Sequence, residues 1–146
     1  MVGTFSQIYI QCVFAVKNRS CLLLDPWRRE VFSYMSGIIE AKGQKPIIVN
    51  GVADHVHVLF AIKPSCSIAE LVRDVKNNSS NFINEKFIIK GKFAWQEGYG
   101  AFSYSHSQVR QVYSYIADQE AHHYRSSFRE EYLTLLRKRE IEFDER

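Results

Sequence analysis

Cysteine is scarce in this chain. There are three in 146 residues, Cys12, Cys21 and Cys66, with no C-x-x-C spacing among them. An odd, unspaced set excludes a disulfide framework and a thiolate zinc site, and reads as reduced thiols of a cytosolic protein. Proline and glycine are few, three and seven, and repeats and low-complexity segments are absent, which leaves no linker-rich or repeat architecture to consider. No apolar stretch approaches the length of a membrane span, so no membrane partner is expected. Met1 to Asn18 alternates polar with apolar residues and lacks the apolar core of a signal peptide. An excess of one charge is missing too. A formal net charge of +3 and a pI of about 8.8 permit a nucleic-acid partner without requiring one.

What is present is a globular composition. Hydrophobic content of 46% and aromatic content of 14% exclude disorder and allow a sizeable core, expected as one domain over residues 1–146. A strand opens the chain at Phe5 to Val16, with Ile8, Ile10, Cys12, Phe14 and Val16 on one face and Gln7, Tyr9 and Gln11 on the other. Asp25-Pro26 reads as the cap and first-turn proline of a helix ended by Gly43. Ile47 to Val49 and Val52 to Ile62 predict a hairpin through Asn50-Gly51 or Ala53-Asp54. Ser67 to Glu70 matches a capping box for the next helix. A strand over Tyr99 to Tyr104 precedes a helix over Ser107 to His123, and Phe128 to Phe143 reads as a terminal helix contacting through Tyr132, Leu133, Leu135 and Leu136. The order β-α-β-β-α-β predicts an α+β, ferredoxin-like antiparallel sheet, with an added C-terminal helix.

The sharpest local signal is His55-Val56-His57. At the period of a strand, Val56, Val58, Phe60 and Ile62 share an apolar face for the core, and His55 and His57 look out from the opposite side. Alternate strand residues stand roughly 6 to 7 Å apart, and two converging imidazoles can share one ion at about 2.1 Å each. Asp54 is expected to point away from both.

Ser107 is the expected cap of the Tyr115 helix, and Val109, Val112, Tyr113, Ile116 and Ala117 form its apolar stripe. Tyr113 is then the core tyrosine, and Tyr115 lies on a flank with Gln119 and His122. Residues four apart are neighbours on a helix, so the Tyr115 hydroxyl and Gln119 amide can address one point; a solvated flank would look the same. Joined to the histidines, the pair becomes chemically coherent. Two neutral imidazoles and a neutral amide oxygen leave a divalent cation nearly its full charge to polarise a phosphodiester. Tyrosine, with a pKa near 10, needs such help to ionise. Its phosphodiester conserves the energy of the bond broken, which is the logic of strand transfer and not of simple hydrolysis.

These residues, with Trp95-Gln96-Glu97-Gly98-Tyr99-Gly100-Ala101-Phe102-Ser103, Val75-Lys76-Asn77-Asn78-Ser79-Ser80 and Tyr115-Ile116-Ala117-Asp118-Gln119-Glu120-Ala121-His122-His123, resemble the single-tyrosine HUH transposases of the IS-two-hundred/IS-six-hundred-and-five insertion sequences. The resemblance runs over nearly the whole chain. It implies metal ligation of Mg²⁺ or Mn²⁺ by His55, His57 and Gln119. It also implies attack on single-stranded DNA by Tyr115, which retains the 5′-phosphate and leaves a 3′-hydroxyl. Hairpin-forming element ends as substrate, a homodimer with active sites shared between subunits, and the cytoplasm of a bacterial or archaeal cell are implied as well.

Around that centre, Arg73, Lys76, Asn77 and Ser80 are candidate DNA contacts through their charge and short donors. Tyr99 and Phe102 are candidate base-stacking rings, and His122 a candidate phosphate contact or proton relay, alternatively a helix-end imidazolium. Two other functions compete. Gly98 to Tyr104 partly echoes the RNP1 pattern of an RNA-recognition module, although Ala101 and Glu97 break it. A host-retained nuclease acting on repeated palindromes, or a replication-initiation nicking enzyme, would use the same site on different DNA.

Overall fold

The computed structural model describes residues 3–87, 89, 91–121 and 127–138. Four strands, β1 (Tyr9–Ala15), β2 (Lys45–Gly51), β3 (His55–Ala61) and β4 (Gly100–Tyr104), form one sheet in the order β2-β3-β1-β4. Every neighbouring pair is antiparallel. Helices α1 (Arg28–Ala41) and α2 (Ile68–Lys86) fill the two crossover positions, so the α+β fold with its β-α-β-β-α-β order is the one the hydrophobic pattern predicts.

Period two decides which face each strand buries. Ile10, Cys12, Phe14 and Val16 of the β1 segment join Val56, Val58, Phe60 and Ile62 of the β3 segment against Val31, Met35 and Ile39 of α1 and Leu71, Val72 and Val75 of α2. The connection between β2 and β3 turns at Ala53-Asp54, closed by the Val52 N–H donating to the His55 carbonyl at 3.1 Å. Ser67 caps α2 by accepting from the Glu70 N–H at 3.2 Å. The α1 start differs from expectation: Trp27 is in the cap position and no side chain caps the helix. A cis Asp25-Pro26 bond precedes it, and the Asp25 carboxylate lies 3.5 Å from Arg28 instead.

The opposite sheet face is covered by helix α4 (Phe128–Lys138), whose Leu136 packs on Val13 and Phe102, flanked by Phe128, Tyr132 and Leu135. A Cβ on Gly100 would stand 2.8 Å from the Tyr132 ring, so only glycine lets α4 lie this close. Phe102 is 3% exposed. It is a core ring under α4, which corrects its expected role as a stacking platform and removes the open aromatic sheet that an RNA-recognition module needs.

A candidate active site and metal centre

The outward face of β3 meets α4 and helix α3 (Val109–Ala117) at the two histidines. His55, His57, Gln11 and Gln119 are at most 1% exposed. Burying four polar side chains costs several kcal/mol unless each finds partners, and each does. His57 Nε2 lies 2.6 Å from Glu131 Oε1. His55 Nε2 lies 3.2 Å from Gln119 Oε1 and 3.3 Å from Glu131 Oε1. On the far side of the rings, Asp54 Oδ1 is 2.8 Å from His55 Nδ1, and Gln11 Nε2 is 2.9 Å from His57 Nδ1.

The expectation that Asp54 points away is thus overturned. Asp54 belongs to the hairpin turn ahead of β3, where strand alternation no longer dictates direction.

Local breaks in α3 bring Gln119 in. The helix follows a 3-10 turn at His106–Gln108, which Ser105 and Gln108 close with a capping box; Gln108, not the predicted Ser107, is the cap position of the helix itself. It ends at Ala117, and residues 119–121 are helical again beyond a turn at Asp118. Asn50 on β2 donates to the carbonyls of Ile116 (2.9 Å) and Ala117 (3.3 Å), which satisfies the helix end where it breaks. The Gln119 amide nitrogen donates to the Tyr115 carbonyl at 3.3 Å, so its oxygen faces His55.

Tyr115 is half-buried with its ring centroid 5.8 Å from that of His57. Tyr113 is 45% exposed, which reverses the expected assignment of the core tyrosine. Helix α3 packs against the polar side of the sheet, so its inward side keeps Ile116 of the apolar stripe but turns toward the Tyr115 flank, leaving Tyr113 and Ala117 exposed. Tyr115 meets His57 within one chain.

The electrostatics follow from these contacts. Burial pulls the His55 pKa down, but the hydrogen bonds and charges of Asp54 and Glu131 outweigh it and raise it to about 9. Burial raises the Glu131 carboxyl, yet its hydrogen bonds to His55 and His57 and their charges win and hold it well below the usual carboxylate range. Tyr115 is pushed well above the usual phenol value by burial and then by the Glu131 carboxylate, with Gln119 opposing. A proton on His55 Nε2 therefore occupies the point on which Gln119 Oε1 and Glu131 Oε1 converge, where a cation fits equally well. The ligand atoms of His55, His57 and Glu131 all lie within 4.8 Å of one another. Two imidazoles, an amide oxygen and a carboxylate oxygen suit a divalent ion.

Glu131 escaped the sequence analysis. The signal was its register: it shares a helix face with the half-buried Phe128, Tyr132 and Leu135, an apolar stripe on which a lone carboxylate needs a partner.

The remaining predicted site residues lie elsewhere. Arg73, Lys76, Asn77, Ser80 and Tyr99 line a groove of about 420 Å³ between α2 and residues 94–99, away from the histidines. Lys76 donates to the carbonyls of Gln96 (2.7 Å) and Gly98 (2.9 Å), and burial lowers its pKa against the pull of Glu97. It anchors the 96–98 loop. His122 lies outside the described residues.

Comparisons with known proteins point to one family. The family model described as "Transposase IS200 like" matches residues 4–119, a span that holds both histidines, Tyr115 and Gln119 and stops short of Glu131. The transposases for insertion sequence element IS200 of Salmonella typhimurium and Salmonella typhi are each 30% identical over 92 residues, 60% of this chain. That match spans 60% of the length of these curated relatives. Among solved structures, a transposase candidate from Deinococcus radiodurans R1 superposes with a TM-score of 0.66 at 21% identity, covering 82% of this chain and 95% of the other. A REP-associated tyrosine transposase bound to a REP hairpin superposes with a TM-score of 0.62 at 12% identity, covering 84% and 73%. Among the described residues no helix is long and apolar enough to cross a membrane. With the family model matching most of its length, the chain belongs to the IS200-like transposase family.

Proposed function

We propose that this protein cuts and rejoins single-stranded DNA at hairpin-bearing insertion-sequence ends, through a tyrosine-linked intermediate that depends on a divalent metal. The observation that carries the reading is the placement of the Tyr115 ring 5.8 Å from His57, beside the convergent His55, His57, Gln119 and Glu131 oxygen and nitrogen atoms.

In this reading the Tyr115 oxygen attacks the phosphorus of a scissile phosphodiester. The bond from phosphorus to the 3′-oxygen breaks, the 5′-phosphate stays on Tyr115, and the departing 3′-oxygen takes a proton. The reverse attack by a 3′-hydroxyl rejoins the strands without ATP. His55, His57 and Gln119 hold the metal, Mg²⁺ or Mn²⁺, and Glu131 adds a carboxylate. When bound, the ion supplies charge that lowers the phenol pKa and polarises the phosphate. Gln119, held through its amide nitrogen on the Tyr115 carbonyl, keeps ligand and nucleophile in register. The groove of Arg73, Asn77, Ser80 and Tyr99 is proposed to hold the DNA away from the cut. Residues 1–146 act as one domain, paired as a homodimer so that two DNA ends are handled together.

The deciding experiment incubates the protein with 5′-labelled single strands carrying an element end and Mn²⁺, and looks for a covalent adduct mapping to Tyr115. Cleavage without an adduct, or an adduct at another residue, would overturn the mechanism. A host-retained nuclease is the second reading, supported by the fold likeness to the REP-associated transposase. Imperfect palindromes beside the coding region favour the transposase, and dispersed genomic palindromes favour the nuclease.

A further inference from the structure

Gln11 is fully buried on β1, diagonal in register to His57 on one side and to Tyr104 on the other. Its amide nitrogen is 2.9 Å from His57 Nδ1, and its amide oxygen accepts from the Tyr104 hydroxyl at 2.6 Å. An amide nitrogen only donates, so His57 Nδ1 accepts. The ring hydrogen is then on Nε2, where it donates to Glu131 Oε1 at 2.6 Å. A nitrogen carrying a hydrogen cannot ligate a cation. His55 is held the other way round, because the Asp54 carboxylate only accepts and keeps the hydrogen on Nδ1. Of two histidines on one strand, His55 needs only to lose its Nε2 proton to reach the tautomer a metal needs, while the neutral His57 is held in the tautomer that refuses one.

We propose that Gln11, backed by Tyr104, is the positioning residue that switches His57 between these tautomers. Turning the Gln11 amide by half a rotation exchanges oxygen and nitrogen with little change of shape. Its oxygen then accepts from His57 Nδ1–H, and its nitrogen donates to the Tyr104 oxygen, which accepts as readily as it donates. His57 keeps one ring proton throughout, and its Nε2 lone pair is left facing the centre shared with His55. Carboxylate or carbonyl partners on the outer nitrogen are the usual way a protein orients a ligating histidine.

This inference rests on the proposed metal site, and its test separates the two. Long-range ¹H–¹⁵N spectra of the metal-free wild-type protein should show His57 with its hydrogen on Nε2, moving to Nδ1 on addition of diamagnetic Mg²⁺. The same tautomer in both states would overturn the switch. Calorimetric Mn²⁺ titration of the variants gives the second readout. Gln11→Leu should weaken binding about 10-fold or more. Gln11→Glu, which can only accept from His57, should bind at least as tightly as wild type. Equal losses in both variants, or no loss in either, would mean that Gln11 only fills space. His57→Ala should abolish Mn²⁺ binding; if it does not, the metal reading falls and this proposal falls with it.

Discussion

Glu131 Oε1 lies 2.6 Å from His57 Nε2 and 3.3 Å from His55 Nε2, so one carboxylate oxygen on the last described helix bridges both histidines of β3. That contact ties α4 to the sheet by charge where Val13, Phe102 and Leu136 tie it by packing. It also gives the metal-free protein a defined response to pH.

Metal-free stability should fall at both ends of the pH range. His55 has its folded pKa raised from 6.5 to about 9, so its contribution is full below 6.5 and lost as pH rises through about 9. Glu131 is depressed from 4.5, so its contribution is present above that value and lost as pH falls below it. Thermal melts in chelator should show a plateau near pH 5 to 6 and decline on either side. Glu131→Gln should flatten the alkaline decline by lowering the His55 pKa. An unchanged alkaline limb in that variant would contradict the pairing.

Metal affinity should carry the opposite sign. A divalent ion must displace the His55 proton, so apparent affinity should rise roughly tenfold per pH unit from 7 until about 9 and then level. Mn²⁺ titrations in two buffers of different ionisation enthalpy should reveal about one proton released at pH 7.5. EDTA should stop cleavage, and Mg²⁺ or Mn²⁺ should restore it. Full activity in chelator would return the histidines to a structural role.

Tyr115→Phe should abolish the covalent adduct and reduce cleavage by at least about 10³-fold while leaving hairpin binding and melting temperature near wild type. Tyr113 is exposed on the other flank of α3, so Tyr113→Phe should cleave normally. Gel analysis of adducts with labelled DNA distinguishes the two.

Subunit mixing tests where the site closes. Tyr115 reaches His57 within one chain, so a dimer mixed from His57→Ala and Tyr115→Phe proteins should have one lesion in each site and stay inactive after demonstrated exchange. Recovered cleavage would show instead that α3 is traded between subunits, the shared arrangement that the family resemblance implies.

Much of this molecule was legible in the sequence because strand alternation is a local rule. It placed Val56, Val58 and Phe60 on the core side and the two histidines opposite, and the element order then implied the sheet. The resemblance carried by the histidine pair, Tyr115 and Gln119 named the family. Tertiary structure alone decided which flank of α3 turns inward, because a helix packs against whatever face the sheet presents, and here that face is polar. It decided as well that Phe102 lies beneath α4, and that Asp54, Gln11, Tyr104 and Glu131 gather around the imidazoles. Those four come from a turn, two strands and a helix, as far as 120 residues apart along the chain, and no periodicity within one segment encodes a meeting between segments.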